Sequence, residues 1–554
     1  MNKDCKQCGV GFEVTDEDLK FYDRISPKFG DKKFSIPAPT FCPDCRMQRR
    51  FASRNERNLY HRKCDLTGKM IISNYSPTSC MTVYDVDSWW GDNWDALDYG
   101  AEYDFDRSFF SQFDELQKKV PVLGLHVVNN QNSPYVNYTA ECKNCHMVFG
   151  PVYSEDCMYG SPYYSKNCFD TLLVRDCELC YECVTCDGCY ECLYCQDCTN
   201  SRNLIYCYDC VACKDCIGCS GLRNKSFYVF NEKYSKEEYL KFRSNFDLCD
   251  DDQVQQILDK FSEIKLDTPK RAMVSVNVQN CIGDYIYESK NSTDCYDVKR
   301  CEDVSFLAQT IDMKDCYDSN YTEENELCYE YLGYYRNNKC LFSNGCHNTY
   351  DLLYCAYCAS CKNCLGCISL QHKQYCILNK QYTKEEYEKL VPQIIKSMDE
   401  KREWGEFFPA EISPFAYNET VAYEYFPMSR DAVEKNGWQW KEDESEKMYK
   451  GPELDIPKDI SMVDDSICKG ILRCDVSSKL FKVTPQELGF YRRMKLPIPR
   501  ECPDERHKKR LALRNPRHLW DRNCDKCGAN IKTSYAPDRK ETVFCEKCYL
   551  EAVY

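Results

Sequence analysis

Histidine is scarce in this sequence, with seven among 554 residues and none in a ligand pair. The patterns HExxH, GxGxxG, GxxxxGK[ST] and the GxSxG elbow are all missing. Those absences remove the familiar zinc-hydrolase, dinucleotide, P-loop and α/β-hydrolase chemistries. General-base catalysis is left with little to rest on, so no enzyme and no small-molecule substrate is expected. Nowhere do eighteen apolar residues run together, which predicts no membrane span. The opening MNKDCKQCG is charged and lacks the apolar core of a secretory signal, which points to a reducing, cytoplasmic setting. Basic excess is lacking too. A net charge of −15 argues against a general nucleic-acid or membrane coat, although a local basic patch can hide inside an acidic average.

Cysteine is abundant instead, at 44 residues. A reducing compartment makes these thiols or metal ligands and disfavours a disulfide ladder. With 43% apolar residues, the chain is long enough for roughly three to five domains with real cores.

The two ends are copies of one another. FCPDCRMQRRFASRNERNLYHRKCDLTGKMIISNYSP, from Phe41, matches ECPDERHKKRLALRNPRHLWDRNCDKCGANIKTSYAP, from Glu501. Near the start, Cys5-x2-Cys8 and Cys42-x2-Cys45 are separated by 33 residues; near the end, Cys524-x2-Cys527 and Cys545-x2-Cys548 are separated by 17. Two such knuckles suit a closed tetrahedral zinc site. Each end holds two candidate modules and has lost a different one. Thr67, Asp85 and Ser88 stand where Cys527, Cys545 and Cys548 stand in the other copy, and Ser477 and Glu505 replace the equivalents of Cys8 and Cys45. About two structural zinc ions are therefore expected, and four protein ligands leave no open position for hydrolytic chemistry.

The first module resembles the probable treble-clef zinc-ribbon family of bacteria on Cys5, Cys8, Gly9, Phe12, Thr15, Phe21, Tyr22, Cys42, Pro43, Cys45 and Arg46. A decayed echo recurs at Phe481, Thr484, Phe490, Tyr491 and Cys502. As a whole, the chain resembles the long cysteine-rich zinc-ribbon proteins of small-genome uncultivated bacteria. The resemblance implies architecture and carries over no activity.

Arg46, Arg50 and Arg54 follow the second knuckle four apart, on one face of a predicted helix, and Arg506, Arg510 and Arg514 repeat the stripe. One reading is a phosphate-binding surface, with RNA or the ribosome as the natural partner. The other is a helix face paired with neighbouring acidic residues.

Between the ends lies a second duplication: LIYCYDCVACKDCIGCSGLRNKSFYVFNEKYSKEEYLKF, from Leu204, matches LLYCAYCASCKNCLGCISLQHKQYCILNKQYTKEEYEKL, from Leu352. A three-residue register runs from Ser165 to Cys219 and from Cys295 to Cys367. A period of three fits neither a helix nor a flat strand, and predicts coils of about twelve residues with four small inward side chains each. Cysteine would serve there as a small hydrophobe, and aromatics after it (Tyr181, Tyr190, Tyr208, Tyr296, Tyr317, Tyr329) would face outward. Zinc or copper storage and iron–sulfur ligation are the rival uses of the thiols. Ser235 with Glu238, and Thr383 with Glu386, predict capping boxes opening helices that seal the arrays.

The expected fold is mainly β with some α: zinc-ribbon or treble-clef modules at both ends flanking two cysteine-rich, narrow β-solenoid-like repeats with helical caps. The boundaries drawn are 1-92 (ribbon pair), 93-138 (helical connector), 139-246 (first repeat), 247-272 (linker helix), 273-395 (second repeat), 396-462 (aromatic, proline-bearing linker) and 463-554 (second ribbon pair). The expected function is a zinc-binding scaffold or adaptor contacting RNA or a ribonucleoprotein, possession of a protein partner being compatible with it. Thiol-based metal handling is the alternative.

Overall fold

The computed structural model describes residues 1–442 and 451–553, and the part of the 396-462 segment at 443–450 lies outside them. The protein is mainly β, with twelve α-helices among the described residues.

Both central segments are built of short parallel strands paired twelve residues apart. In the first array the pairs include Arg202 with Lys214 and Lys214 with Ser226. In the second they run through Lys290 with Glu302, Tyr317 with Tyr329, and Lys362 with Gln374. Pairing begins at Val127 with Thr139, ahead of the boundary drawn at 139, so the end of the expected helical connector already belongs to the first array.

The period of three has a backbone cause. Along the arrays every third residue takes the left-handed conformation, as at Leu179, Glu182 and Thr185, then Glu191, Tyr194 and Asp197, with φ near +50°. That conformation costs about 1–2 kcal/mol for a residue with a Cβ, and here hydrogen bonds offset it. Glu182 N–H donates to Phe169 C=O at 3.2 Å, and its neighbour Tyr181 N–H donates to Cys192 C=O at 3.0 Å. Each corner therefore bonds to the coil on either side. Two glycines mark where an eleven-residue step reverts to twelve: Gly283, and Gly160 in the first array. A Cβ on them would lie 1.9 Å from Cys295 C=O and 2.0 Å from Thr171 C=O.

Inward positions are fully buried, and their thiols are hydrogen-bonded. Cys180 Sγ reaches the carbonyls of Glu178 and Cys189 at 3.5 and 3.6 Å, and this two-carbonyl arrangement repeats along both arrays. Inward side chains also accept from the N–H one coil on: Ser165 Oγ from Cys177, Cys316 Sγ from Cys328, Asn325 Oδ1 from Asn337. Cysteine is thus more than the small hydrophobe expected. It is small enough for the lumen and also a donor and an acceptor, which Val is not.

Antiparallel hairpins close the arrays at Ser226–Val229 and Gln374–Ile377. The helices Lys236–Asn245 and Lys384–Glu400 follow, with complete capping boxes on Ser235 and Glu238 and on Thr383 and Glu386.

Candidate metal centres and the helices beside them

Cys5, Cys8, Cys42 and Cys45 come together, as do Cys524, Cys527, Cys545 and Cys548, with all sulfurs of each group within 4.8 Å of one another. Cys8 and Cys42 sulfurs are 3.7 Å apart, and Cys527 and Cys545 sulfurs 3.8 Å. Four thiolates about 2.3 Å from a tetrahedral zinc would stand about 3.8 Å apart, so both groups fit that ion.

The first knuckle folds by the same turn in each: Gly9 N–H donates to Cys5 C=O, Gly528 N–H to Cys524 C=O, and both glycines have φ +74°. The Cys42 thiol is pulled down to about 5, chiefly by hydrogen bonding from Cys45, against burial. Cys42 is also the N-cap of the Pro43–Phe51 helix, where the helix dipole favours a thiolate. Burial opposes ionisation of Cys524, but the backbone N–H groups of Cys545, Cys527 and Lys526 bring it to about 6.

The two modules without a full cysteine set keep the turn and carry hydrogen bonds where the other copy has cysteines. Gly68 N–H donates to Cys64 C=O, and Ser478 N–H to Cys474 C=O. At the first, Asp85 accepts from the Ser88 N–H and hydroxyl at 3.0 and 2.7 Å, and its own N–H donates to Cys64 Sγ at 3.4 Å. Among the described residues only the two complete groups bring three or more such ligands within reach of one ion, and no array thiols do.

The arginine stripes lie on helices Pro43–Phe51 and Pro503–Ala512 and just beyond them, but they do not face solvent. The side chains of Arg46, Arg50, Arg54, Arg506, Arg510 and Arg514 are between 0 and 9% exposed. Arg46 Nε donates to Asp318 at 3.0 Å, and Arg50 donates to Asn320 at 2.7 Å and Glu330 at 2.6 Å. At the other end Arg506 Nε donates to Asp170 at 3.1 Å, and Arg510 pairs with Glu182 at 2.9 Å. Arg54 stacks on Tyr138 and Tyr321, while Arg514 stacks on Tyr285 and pairs with Asp297. The stripes expected to offer a phosphate-binding surface are buried, and the six guanidinium groups face carboxylates and rings within the protein.

The partners on the arrays carry the same duplication. Asp170 and Glu182 correspond to Asp318 and Glu330 at the 148-residue offset that relates Leu204 to Leu352. Phe490 stacks on Phe169 at 3.9 Å, as Phe21 does on Tyr317 at 3.8 Å. The aromatics expected outside the lumen are there, but Tyr181, Tyr208, Tyr296 and Tyr329 are buried under neighbouring modules and only Tyr190 is exposed. The repeated Asp and Glu, twelve apart in both copies, were the signal that the arginines had internal partners.

Each end module therefore holds both arrays. Val83 pairs with Val122 at the head of the first array, while Arg46 and Arg50 reach the second. Val543 pairs with Lys270 at the head of the second, while Arg506 and Arg510 reach the first.

No family model and no curated protein matches the chain. One solved structure with a match is a Desulfovibrio desulfuricans G20 protein assigned to the acetyltransferases. It is 8% identical, covers 47% of this chain and 71% of its own, and has a TM-score of 0.10, at which it carries no argument. No helix among the described residues is long and apolar enough to cross a membrane.

Proposed function

We propose that the protein is a zinc-stabilised, non-catalytic scaffold: two narrow solenoids clamped side by side by two ribbon modules. The carrying observation is the reciprocal docking just described, in which the helix starting at Cys42 or Cys502 inserts arginines into one array while its module pairs with the head of the other. Zinc as the ion is supported by the sulfur spacing and the all-thiolate ligand set. Four thiolates per ion leave no position for a substrate, which supports scaffolding over catalysis.

Storage of soft metals in the arrays is less well supported. Ligation requires thiolates, whereas the array sulfurs sit on pairs of backbone carbonyls where a thiol proton is the matching group. RNA contact through the arginine stripes is likewise less well supported, because these side chains are closed off from solvent.

Elemental analysis of protein purified without oxygen tests the reading. The expected content is two zinc ions per chain; 44 cysteines less the eight ligands leave 36 free thiols, of which Cys80 is the exposed one and should alkylate first. Several zinc or copper ions per chain, or stoichiometric iron, would overturn it. Binding of a single-stranded RNA that is weakened by Arg50→Ala at preserved fold would restore the expectation set aside here.

A further inference from the structure

Between the arrays runs a cleft of about 710 Å³, within the range of small-molecule sites. The scaffold reading leaves it without a role. Its walls are facing columns of the two arrays: Tyr163, Arg175 and Asp187 are successive partners on one side, Tyr287 and Lys299 belong to the other, and Glu323 and Tyr335 continue it.

One end is aromatic. The His347 ring has Trp90 at 5.7 Å, Tyr335 at 5.8 Å and Tyr334 at 6.2 Å around it, and His126 lies 5.4 Å from Tyr334. These rings come from the first ribbon module, the head of the first array and the body of the second. Four of the protein's exposed large apolar side chains, Trp90, Val128, Val276 and Tyr335, lie on this concave surface. Rings left uncovered inside a cleft are the usual mark of a ligand surface. Behind them, His126 Nε2 and Tyr334 Oη are buried polar atoms without a hydrogen-bond partner.

The charges favour one kind of occupant. Every cation at the cleft is engaged: Arg54 with Glu56, Lys299 with Glu288, and Arg175 on the faces of Tyr163 and Tyr164. Asp187 and Glu323 stand exposed on the cleft walls and make no ion pair among the described residues, the Arg175 guanidinium being a cation that acts on both. Burial, with Arg54 and His347 nearby, drops His126 to about 3, so it stays neutral and adds no repulsion.

We propose that this cleft binds a flat aromatic cation, with its rings among Trp90, Tyr334, Tyr335 and His347 and its charge beside Glu323 and Asp187. Ring stacking and cation–π attraction supply the affinity, and the two carboxylates select the sign. Glu323 is the strand partner of Tyr335, so a cationic group one rung, about 4.8 Å, from a stacked ring would meet it.

The test is a fluorescence titration of the metal-loaded full chain with proflavine, a planar acridine cation, and with acridine, its neutral parent at pH 8. Saturable proflavine binding is expected, with a Kd on the order of 10 µM and at least tenfold tighter than acridine. Glu323→Gln with Asp187→Asn should erase that preference, and Tyr335→Ser should weaken both ligands, at unchanged circular dichroism and metal content. Met462→Ser, far more exposed at 77%, should change nothing. No saturable binding, equal affinity for the two ligands, or a preference untouched by the carboxamide pair would overturn the proposal. Loss of metal content in the wild-type chain would instead count against the scaffold reading.

Discussion

Cys183 illustrates what an inward side chain must do. It is fully buried, and its sulfur lies 3.5 and 3.2 Å from the carbonyls of Tyr181 and Cys192. Serine keeps donor and acceptor in a slightly smaller volume, whereas valine keeps the shape and leaves the carbonyls short of a donor. Cys183→Ser is therefore expected to cost less than about 1 kcal/mol and Cys183→Val about 1–3 kcal/mol in denaturant unfolding. Backbone shape is as exacting where the coil length changes. Gly283→Ala puts a methyl 1.9 Å from a carbonyl oxygen at φ +153°, so two strands must part to admit it. The expected cost is about 1–3 kcal/mol or more, read as a lower midpoint at unchanged m-value.

The arginine-bearing helices set the energetics at the scale of elements. Arg50 meets Asp318 and Glu330 in a site closed to water. A paired buried charge adds little over an apolar residue, yet removing one partner strands the other. Arg50→Ala should cost about 3–5 kcal/mol, and Arg50→Met with Glu330→Leu less than Arg50→Ala alone, a non-additivity that a double-mutant cycle reads directly. The junction of the arrays carries a pH signature as well. Asp197 accepts from Tyr285 across it at 2.8 Å, and burial, opposed by Tyr285 and Arg514, pushes its carboxyl up to about 7. A folded-state value above the unfolded one means a stability contribution complete below about pH 4 and lost as pH rises through about 7. Melting temperature should accordingly be higher at pH 5 than at pH 8 on account of this group, and Asp197→Asn should shrink that difference.

Across the whole molecule, the candidate metal group and the docking meet on one helix. Cys42 and Cys45 open the helix that carries Arg46, Arg49 and Arg50, so loss of an ion held there would free the start of an element whose far face is buried in the second array. Cys45→Ser should expose amides of Pro43–Phe51 and of Tyr317–Glu323 to hydrogen exchange together, while the capped end of the same array, Gln374–Ile377, stays protected. Protection lost at all three would mean that the module stabilises the array globally and does not clamp it locally.

The two cysteine groups were legible in the sequence because a knuckle is a local turn: two cysteines three apart with a following glycine at Cys5, Cys8 and Gly9 need no distant partner to be recognised. The coil length was legible too, since the three-residue register reflects a repeating backbone corner that local hydrogen bonds enforce. The capping boxes at Ser235 and Thr383 belong to the same class. Periodicity could show that Arg46, Arg50 and Arg54 share a face, but not what that face meets, because Asp318 and Glu330 lie some 270 residues away in the chain. Only the tertiary structure placed those arginines against Asp318 and Glu330 of the second array, and only it brought Trp90, His126 and Tyr335 together around one cleft. Local spacing fixes turns and periods through short-range sterics and hydrogen bonds; what a charged or aromatic face finally touches depends on how modules far apart in the chain pack against each other.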